Sequence, residues 1–287
     1  MVVAFLDLLG FSELLRKNQD AAVNKIVYIS NTVCSDMFND FISISDSLII
    51  TSNGPDKFVR TISSLLSEWF TQSMNNYSFP YNLETVSQKE YLTEPILKIN
   101  SSYISDIPIL FRGGVANGND IIITNNIAII NEHISSIVNI TGKTYLNAVE
   151  LEKSGKGPHL FCNKDFEQSL KDKKCIRSYN KELGIYEIVW SYWGCEIPPG
   201  NPNHRENVKS ALSNMLIPAL NLYVYHRSYN PDFLIYYKEL VEIVCRGILK
   251  YDLDHCGNEN YSSQKIMEEF TKRKISISEI GNFLDLN

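Results

Sequence analysis

Val2-Val3-Ala4-Phe5-Leu6-Asp7-Leu8-Leu9-Gly10-Phe11 is an apolar run of strand type that carries one carboxylate and ends in a Gly-Phe turn before a polar stretch. A strand this apolar is expected to be buried on both faces of a sheet. An ionised Asp7 in such a place costs several kcal/mol unless a cation neutralises it, and a divalent metal is the natural candidate. A second acidic turn of similar character lies downstream, Phe41-Ile42-Ser43-Ile44-Ser45-Asp46-Ser47-Leu48-Ile49-Ile50. Its alternation around Ser45-Asp46-Ser47 predicts a hairpin with the acid at its tip. Taken singly, Asp7 reads as a helix cap and Asp46 as a turn residue. Taken together, each at the end of an Ile/Leu/Val-rich strand, they read as a site for hard, oxygen-loving ions.

Two aspartates so placed can share two divalent ions, Mn²⁺ or Mg²⁺, with the Leu8 carbonyl as a further ligand. Such a pair serves an in-line displacement at phosphorus: one ion activates the attacking oxygen and the other neutralises the leaving phosphates. The turn Leu9-Gly10-Phe11-Ser12 opens a helix, where free backbone N–H groups can hold a triphosphate. Glycine there leaves room for the close approach.

Bulk composition excludes other classes. The chain has 287 residues and a net charge of −6, which argues against wrapping nucleic acid or lying on an anionic membrane. The apolar start at Met1 is too short, and lacks the basic flank, for a signal peptide or a membrane span, so a cytoplasmic protein is expected. Six cysteines, Cys34, Cys162, Cys175, Cys195, Cys245 and Cys256, are scattered without a C-x-x-C pair. They read as structural or surface thiols, and with only His255 and Cys256 adjacent no zinc site is expected.

Along the chain, helices are expected near Ser12 to Lys17 and Ala21 to Asp36, and an amphipathic helix from Asp56 to Met74. Residues 75–107 show no clear period and read as an irregular insertion. Ile107 to Ala116 reads as a strand holding Arg112 and Gly113-Gly114, with Ile121 to Thr124 as its hairpin partner and Ile127 to Val138 as a short helix. Gly142 introduces a helix from Lys143 to Lys153. The strands His159 to Cys162 and Gly184 to Trp193 are expected to flank a short charged helix. Pro198-Pro199-Gly200-Asn201-Pro202 punctuates the chain, separating a catalytic domain at 1–195 from a helical extension at 205–287. Within the extension, stripes at Val208 to Tyr223 (with Pro218 as a kink), Leu234 to Ile248 and Ser262 to Lys274 predict helices.

FLDLLGF, the ISDS hairpin, FRGGVANG and GKTYLNAVELE, in that order, resemble the class III nucleotide cyclase catalytic domain. Within that superfamily they are most similar to the pyrimidine cyclases of bacterial Pycsar anti-phage systems. The resemblance covers residues 1 to about 195. It implies an α/β (α+β) ferredoxin-like core and a head-to-tail homodimer with interfacial active sites. It also implies conversion of a nucleoside triphosphate to a 3′,5′-cyclic monophosphate plus pyrophosphate, and a downstream effector that senses the product. Asp7 and Asp46 match the two metal aspartates. Arg112 matches the arginine opening the fourth core strand, where phosphate contact and pairing with an acid inside the sheet are both open.

The departures bear on the base. Purine cyclases carry a selecting lysine four residues before the second metal aspartate, and here that position is Ile42. Their transition-state Asn and Arg fall at Leu146 and Glu150, with Asn147 one step away. Asn139 occupies the second base-reading position, where its amide could pair with uracil or cytosine or simply cap a loop. Lys143 could reach phosphates or stay solvated, and the bulk of Phe41 and Tyr145 could exclude a purine or belong to the core. The expected substrate is UTP in preference to CTP. Loss of the purine-type contacts also suits a degenerate cyclase fold that only binds nucleotide. A polymerase-like palm is a third two-metal reading, disfavoured by the acidic surface.

Overall fold

The computed structural model describes residues 1–33, 37–75, 108–130, 133–196, 201–229, 231–257 and 260–281. Cys34, almost all of the expected irregular insertion and the Pro198-Pro199-Gly200 punctuation lie outside the described residues.

Apolar β1 (Val2–Leu8) is an interior strand of the sheet. It is followed by α1 (Phe11–Lys17), α2 (Gln19–Thr32), β2 (Asp40–Ile44), β3 (Ser47–Ser52), α3 (Pro55–Asn75) and β4 (Phe111–Asn117). β1 pairs antiparallel with β3 on one side and with β4 on the other, and β2 lies outside β3. This β2-β3-β1-β4 order is the ferredoxin-like split βαβ arrangement, as expected. Beyond β4 come β7 (Leu160–Asn163), which is parallel to it, then β9 (Ile185–Ile188) and β8 (Ile176–Asn180), completing a seven-stranded mixed sheet. The edge strand β8 was not expected, because Ile-Arg-Ser-Tyr-Asn has no apolar alternation and is nowhere fully buried.

The two faces of the sheet differ. Val2, Ala4, Leu6 and Leu8 enter the main core with Phe58, Ile62, Leu65 and Trp69 of α3. Val3 and Phe5 point the other way, into a smaller cluster with Ile49, Ala116 and Phe161 that α4 (Lys143–Glu152) covers through Ala148 and Leu151. By alternation Asp7 also lies on this second face, but past the cover, and its side chain keeps 31% of its accessible surface. Burial on both faces therefore holds for Val3 and fails at the acid.

Close approach of α4 depends on Gly114. A Cβ there would press on the Ala148 carbonyl and lie 2.7 Å from Leu151 Cβ and 2.8 Å from the Glu152 nitrogen. Gly114→Ala is accordingly expected to push α4 off the sheet and cost about 1–3 kcal/mol, measured as a lower urea midpoint at unchanged slope.

Three sequence expectations are corrected. Ile122–Ile130 (β5) and His133–Thr141 (β6) form their own antiparallel ribbon, so Ile121 to Thr124 does not partner β4 and Ile127 to Val138 is not a helix. The density of Ile and Val there favours extended backbone, since β-branched side chains are stiff at χ1. The expected strand from Gly184 to Trp193 stops at Ile188. The expected short charged helix is α5 (Lys164–Ser169), and after β9 Ser191–Gly194 forms a helical turn, α6, in which all four residues are buried. Consecutive burial of Tyr192 and Trp193 is incompatible with a strand showing alternate side chains to solvent.

The extension consists of α7 (His204–Ala211), α8 (Ile217–Tyr229), α9 (Leu234–Cys256), α10 (Tyr261–Lys272) and α11 (Ile277–Ile280). Between α7 and α8, Leu212–Leu216 forms a π-helical turn directly before Pro218. Pro218 has no N–H to give, and a widened turn is how the chain absorbs the missing bond. α9 packs Leu240, Val241, Val244 and Ile248 into the same continuous core as the sheet. Ser191 Oγ of α6 donates to the Ile243 carbonyl at 2.6 Å, and Tyr192 Oη donates to Asp254 at 3.0 Å. Among the described residues no helix is long and apolar enough to cross a membrane.

Candidate active site

Strand register brings the two aspartates together. Asp7 is paired with Ser47 on β3 and with Arg112 on β4, and the Leu8 N–H donates to the Asp46 carbonyl at 2.9 Å. Asp46 follows Ser45, whose φ of 56° makes the tight reversal between β2 and β3. The hairpin tip therefore bends back over the end of β1.

Arg112 bridges two acids. Its Nη2 lies 3.6 Å from Asp7 Oδ2, and its Nε donates to Glu152 at the end of α4. Glu152 is almost fully buried, so the guanidinium is its compensating charge. Of the two roles left open for Arg112, pairing with an acid inside the sheet is present. Burial, followed by the negative charges of Asp46 and Glu152, pushes the Asp7 carboxyl up to about 6, against the opposing pull of Arg112 and a hydrogen bond from Ser47. Asp7 thus feels two further carboxylates, Asp46 and Glu152, against the single Arg112 guanidinium. That excess of negative charge, on hard oxygen donors, fits a divalent cation held between Asp7 and Asp46.

The glycine turn is formed as the sequence suggests. Gly10 has φ 75°, in the left-handed region, and caps α1 without a side-chain hydrogen bond. Leu9 does not contribute a free N–H, because it donates to the Leu110 carbonyl at 2.9 Å. Phe11 is buried in the main core.

The expected base-reading residues are spread over several elements. Ile42 faces Ile49 and packs with the second cluster, on the Asp7 side of the sheet. Phe41 packs against the main core, on the opposite face. Tyr145 meets the Phe5 ring edge-on at 6.4 Å and belongs to the second cluster. Asn139 is exposed on β6 opposite Thr124. Asn147 is half-buried on α4, while Leu146 and Glu150 are exposed there.

Lys143 is exposed, but its backbone is occupied. Asp120 accepts from the Lys143 N–H at 2.9 Å and the Thr144 N–H at 3.1 Å, and also from Thr144 Oγ1. Those bonds, led by the Thr144 hydroxyl, hold the Asp120 carboxyl below its ordinary range. The N-terminus of α4 is thus capped by a carboxylate from before β5. Gly142, at φ 127°, allows this, since a Cβ would meet the Asp120 backbone.

Sequence reasoning missed Glu152, Ser47 and Asp120. Glu152 ends the quoted GKTYLNAVELE segment, and a strand arginine in need of an acidic partner was the available signal. Nothing local in the sequence marks Asp120 as a cap for a helix that begins 23 positions later.

No protein-family model matches the chain, and no curated protein matches it. Among solved structures, the adenylyl cyclase CyaB from P. aeruginosa is 14% identical with a TM-score of 0.39, covering 65% of this chain and 92% of that one. The catalytic core of a rhodopsin-guanylyl cyclase with converted specificity, in complex with ATPαS, is 14% identical with a TM-score of 0.42, covering 65% and 93%. The guanylyl cyclase Cya2 is 12% identical with a TM-score of 0.39, covering 66% and 90%.

Proposed function

We propose that this chain is a metal-dependent pyrimidine nucleotide cyclase, converting UTP, in preference to CTP, to the 3′,5′-cyclic monophosphate and pyrophosphate. The observation that carries the reading is the convergence of Asp7 and Asp46 at one end of a ferredoxin-like sheet, through the Leu8–Asp46 backbone bond. The sequence resemblance to class III cyclases supports it independently.

In this reading Asp7, Asp46 and the Leu8 carbonyl hold two Mn²⁺ or Mg²⁺ ions. When bound, the ions supply charge neutralisation for the attacking 3′-oxygen and the leaving pyrophosphate. Arg112 orients Asp7 and tethers it to Glu152, while the turn at Gly10 and Phe11 receives the triphosphate with its remaining N–H groups. Ile42, Asn139, Lys143 and Asn147 stand toward the nucleotide from this chain or from a second copy, in a homodimer with shared sites. The exposed Leu146 and Ile122, at 57% and 59%, suit such a contact. In the cell the cyclic product would act as an anti-phage alarm read by a separate effector, with the enzyme in the cytoplasm.

Incubating the purified chain with each of the four nucleoside triphosphates and Mn²⁺ tests the reading. Cyclic UMP is expected as the main product, with less cyclic CMP. Cyclic AMP or cyclic GMP alone would overturn the pyrimidine assignment. A second reading, a cyclase fold that binds nucleotide without turnover, draws on Leu146 and Glu150 at the transition-state positions. It predicts triphosphate binding by calorimetry and no cyclic product from any of the four.

A further inference from the structure

Away from the aspartates, the fold assembles a second group of donors. Glu196 follows α6, His204 opens α7 and His255 ends α9, and one ligand atom from each lies within 4.8 Å of the others. The three residues are half-buried, so the cluster is partly shielded yet reachable from solvent.

Their orientation is fixed by outer partners. His255 Nδ1 lies 3.1 Å from the Tyr251 carbonyl one helical turn earlier, which selects the tautomer with a proton on Nδ1 and a lone pair on Nε2. Tyr251 Oη sits between the other two donors, 2.8 Å from His204 Nδ1 and 3.3 Å from Glu196 Oε1, and takes a hydrogen bond from Asn207 Nδ2 at 3.1 Å. The rings of His204 and His255 are 4.6 Å apart at 32°, and Tyr251 stacks on His255 at 4.3 Å. Imidazoles held by a backbone carbonyl and a hydroxyl, beside a carboxylate, are how proteins prepare ligands for a borderline-soft cation.

We propose that Glu196, His204 and His255 bind one Zn²⁺ ion per chain, clipping the helical extension to the end of the sheet segment. A His₂Glu set of nitrogen and oxygen donors suits zinc, with water in the fourth position. Bonds of about 2.0–2.1 Å would draw the ligand atoms to about 3.4 Å from one another, a movement within rotamer adjustment. The ion would join three segments from separate parts of the chain, so its binding energy adds to the docking of α7 and α9. Mn²⁺ and Mg²⁺ prefer all-oxygen sites and would not compete here at equal concentration.

The test is a Zn²⁺ titration of the full chain against a chromogenic chelator, with metal content after dialysis measured by mass spectrometry, on wild type and four variants. One equivalent is expected in wild type and in the double variant Asp7→Asn/Asp46→Asn, so the outcome does not depend on the cyclase reading. His204→Gln and His255→Gln are each expected to weaken binding by about 100-fold or more. Tyr251→Phe, which removes only the hydroxyl that aims His204 and Glu196, is expected to weaken it by about 10-fold. Cobalt loading of the wild type should give the intense visible bands of a four-coordinate ion. Should either histidine variant fail to fold, the cobalt spectrum and Tyr251→Phe still decide. An absence of stoichiometric zinc in wild type, or zinc retained equally by all the variants, would overturn the site.

Discussion

Asp7→Asn and Asp46→Asn are each expected to lower Mn²⁺-supported cyclic-nucleotide formation by about 10³-fold, equivalent to about 4 kcal/mol of transition-state stabilisation. Neither change should unfold the protein. Asp7 is held with a raised affinity for protons by burial and by its acidic neighbours Asp46 and Glu152. The sign of the linkage follows: without metal, the folded chain is favoured by a protonated Asp7 below its ordinary 3.8, and that advantage is lost as pH rises through about 6. A neutral asparagine keeps the low-pH situation at every pH. Metal-free Asp7→Asn should therefore melt no lower than wild type at pH 7, and Mn²⁺ should raise the melting temperature of wild type but not of either variant. Binding should also weaken below about pH 6, where protons compete for Asp7. Full activity in both variants would eliminate the two-aspartate chemistry, whereas a collapse in melting temperature would recast the pair as structural.

The second large effect lies in a buried ion cluster on the other side of β4. Glu187 on β9 is completely buried and accepts from His159 and from Arg177. His159 also reaches Glu239 of α9 at 3.2 Å, and Arg177 approaches Glu242 of α9 at 3.9 Å. Burial alone would discharge the His159 ring, but Glu187 and then Glu239 hold its proton, moving it from the ordinary 6.5 up to about 9. Burial likewise opposes charge on Glu187, yet His159 and Arg177 hold that carboxyl down at about 2. Glu187→Ala removes the buried carboxylate that these two cations share, leaving them only the outlying Glu239 and Glu242, and is expected to cost about 3–5 kcal/mol. In a chain this long that is a fall of roughly 10 °C in melting temperature, measured by calorimetry.

The pH profile carries a second signature. The His159 contribution is fully present below pH 6.5 and lost as pH rises through about 9; the Glu187 contribution is present above 4.5 and lost as pH falls through about 2. The two describe one coupled pair, worth about 3 kcal/mol counted once. Wild type should thus lose stability between about pH 7 and 9 more steeply than Glu187→Ala does. Equal slopes would show that the pair is not ionised in the fold.

Much of the fold was legible because its central elements carry strong periods. β1, the β2–β3 hairpin and α3 announce themselves by apolar runs and by a helical stripe, whereas the ferredoxin-like order was implied only by the resemblance of the quoted motifs to a known family. Asp7 and Asp46 stood out because each interrupts an apolar strand, and register then placed them side by side. What failed were elements without a decisive local pattern. The β5–β6 ribbon reads locally as ambiguous apolar sequence, β8 is a polar edge strand, and α6 departs from strand form only because Tyr192 and Trp193 must both be buried. The same holds for Glu152, Asp120 and the Glu196–His204–His255 group, whose meaning comes from tertiary neighbours that no local spacing encodes.

The shared core has a practical consequence. Trp190, Tyr192 and Trp193 are buried between α3 and α9, with Arg60 stacked on the Trp193 indole at 4.0 Å. A fragment ending near 195 would leave that aromatic ledge in water, along with the floor on which Val241 and Val244 rest. Anyone trimming this protein to its sheet-bearing part should expect sticky, insoluble material, and the terminal helices are better regarded as the far wall of one building than as an annexe.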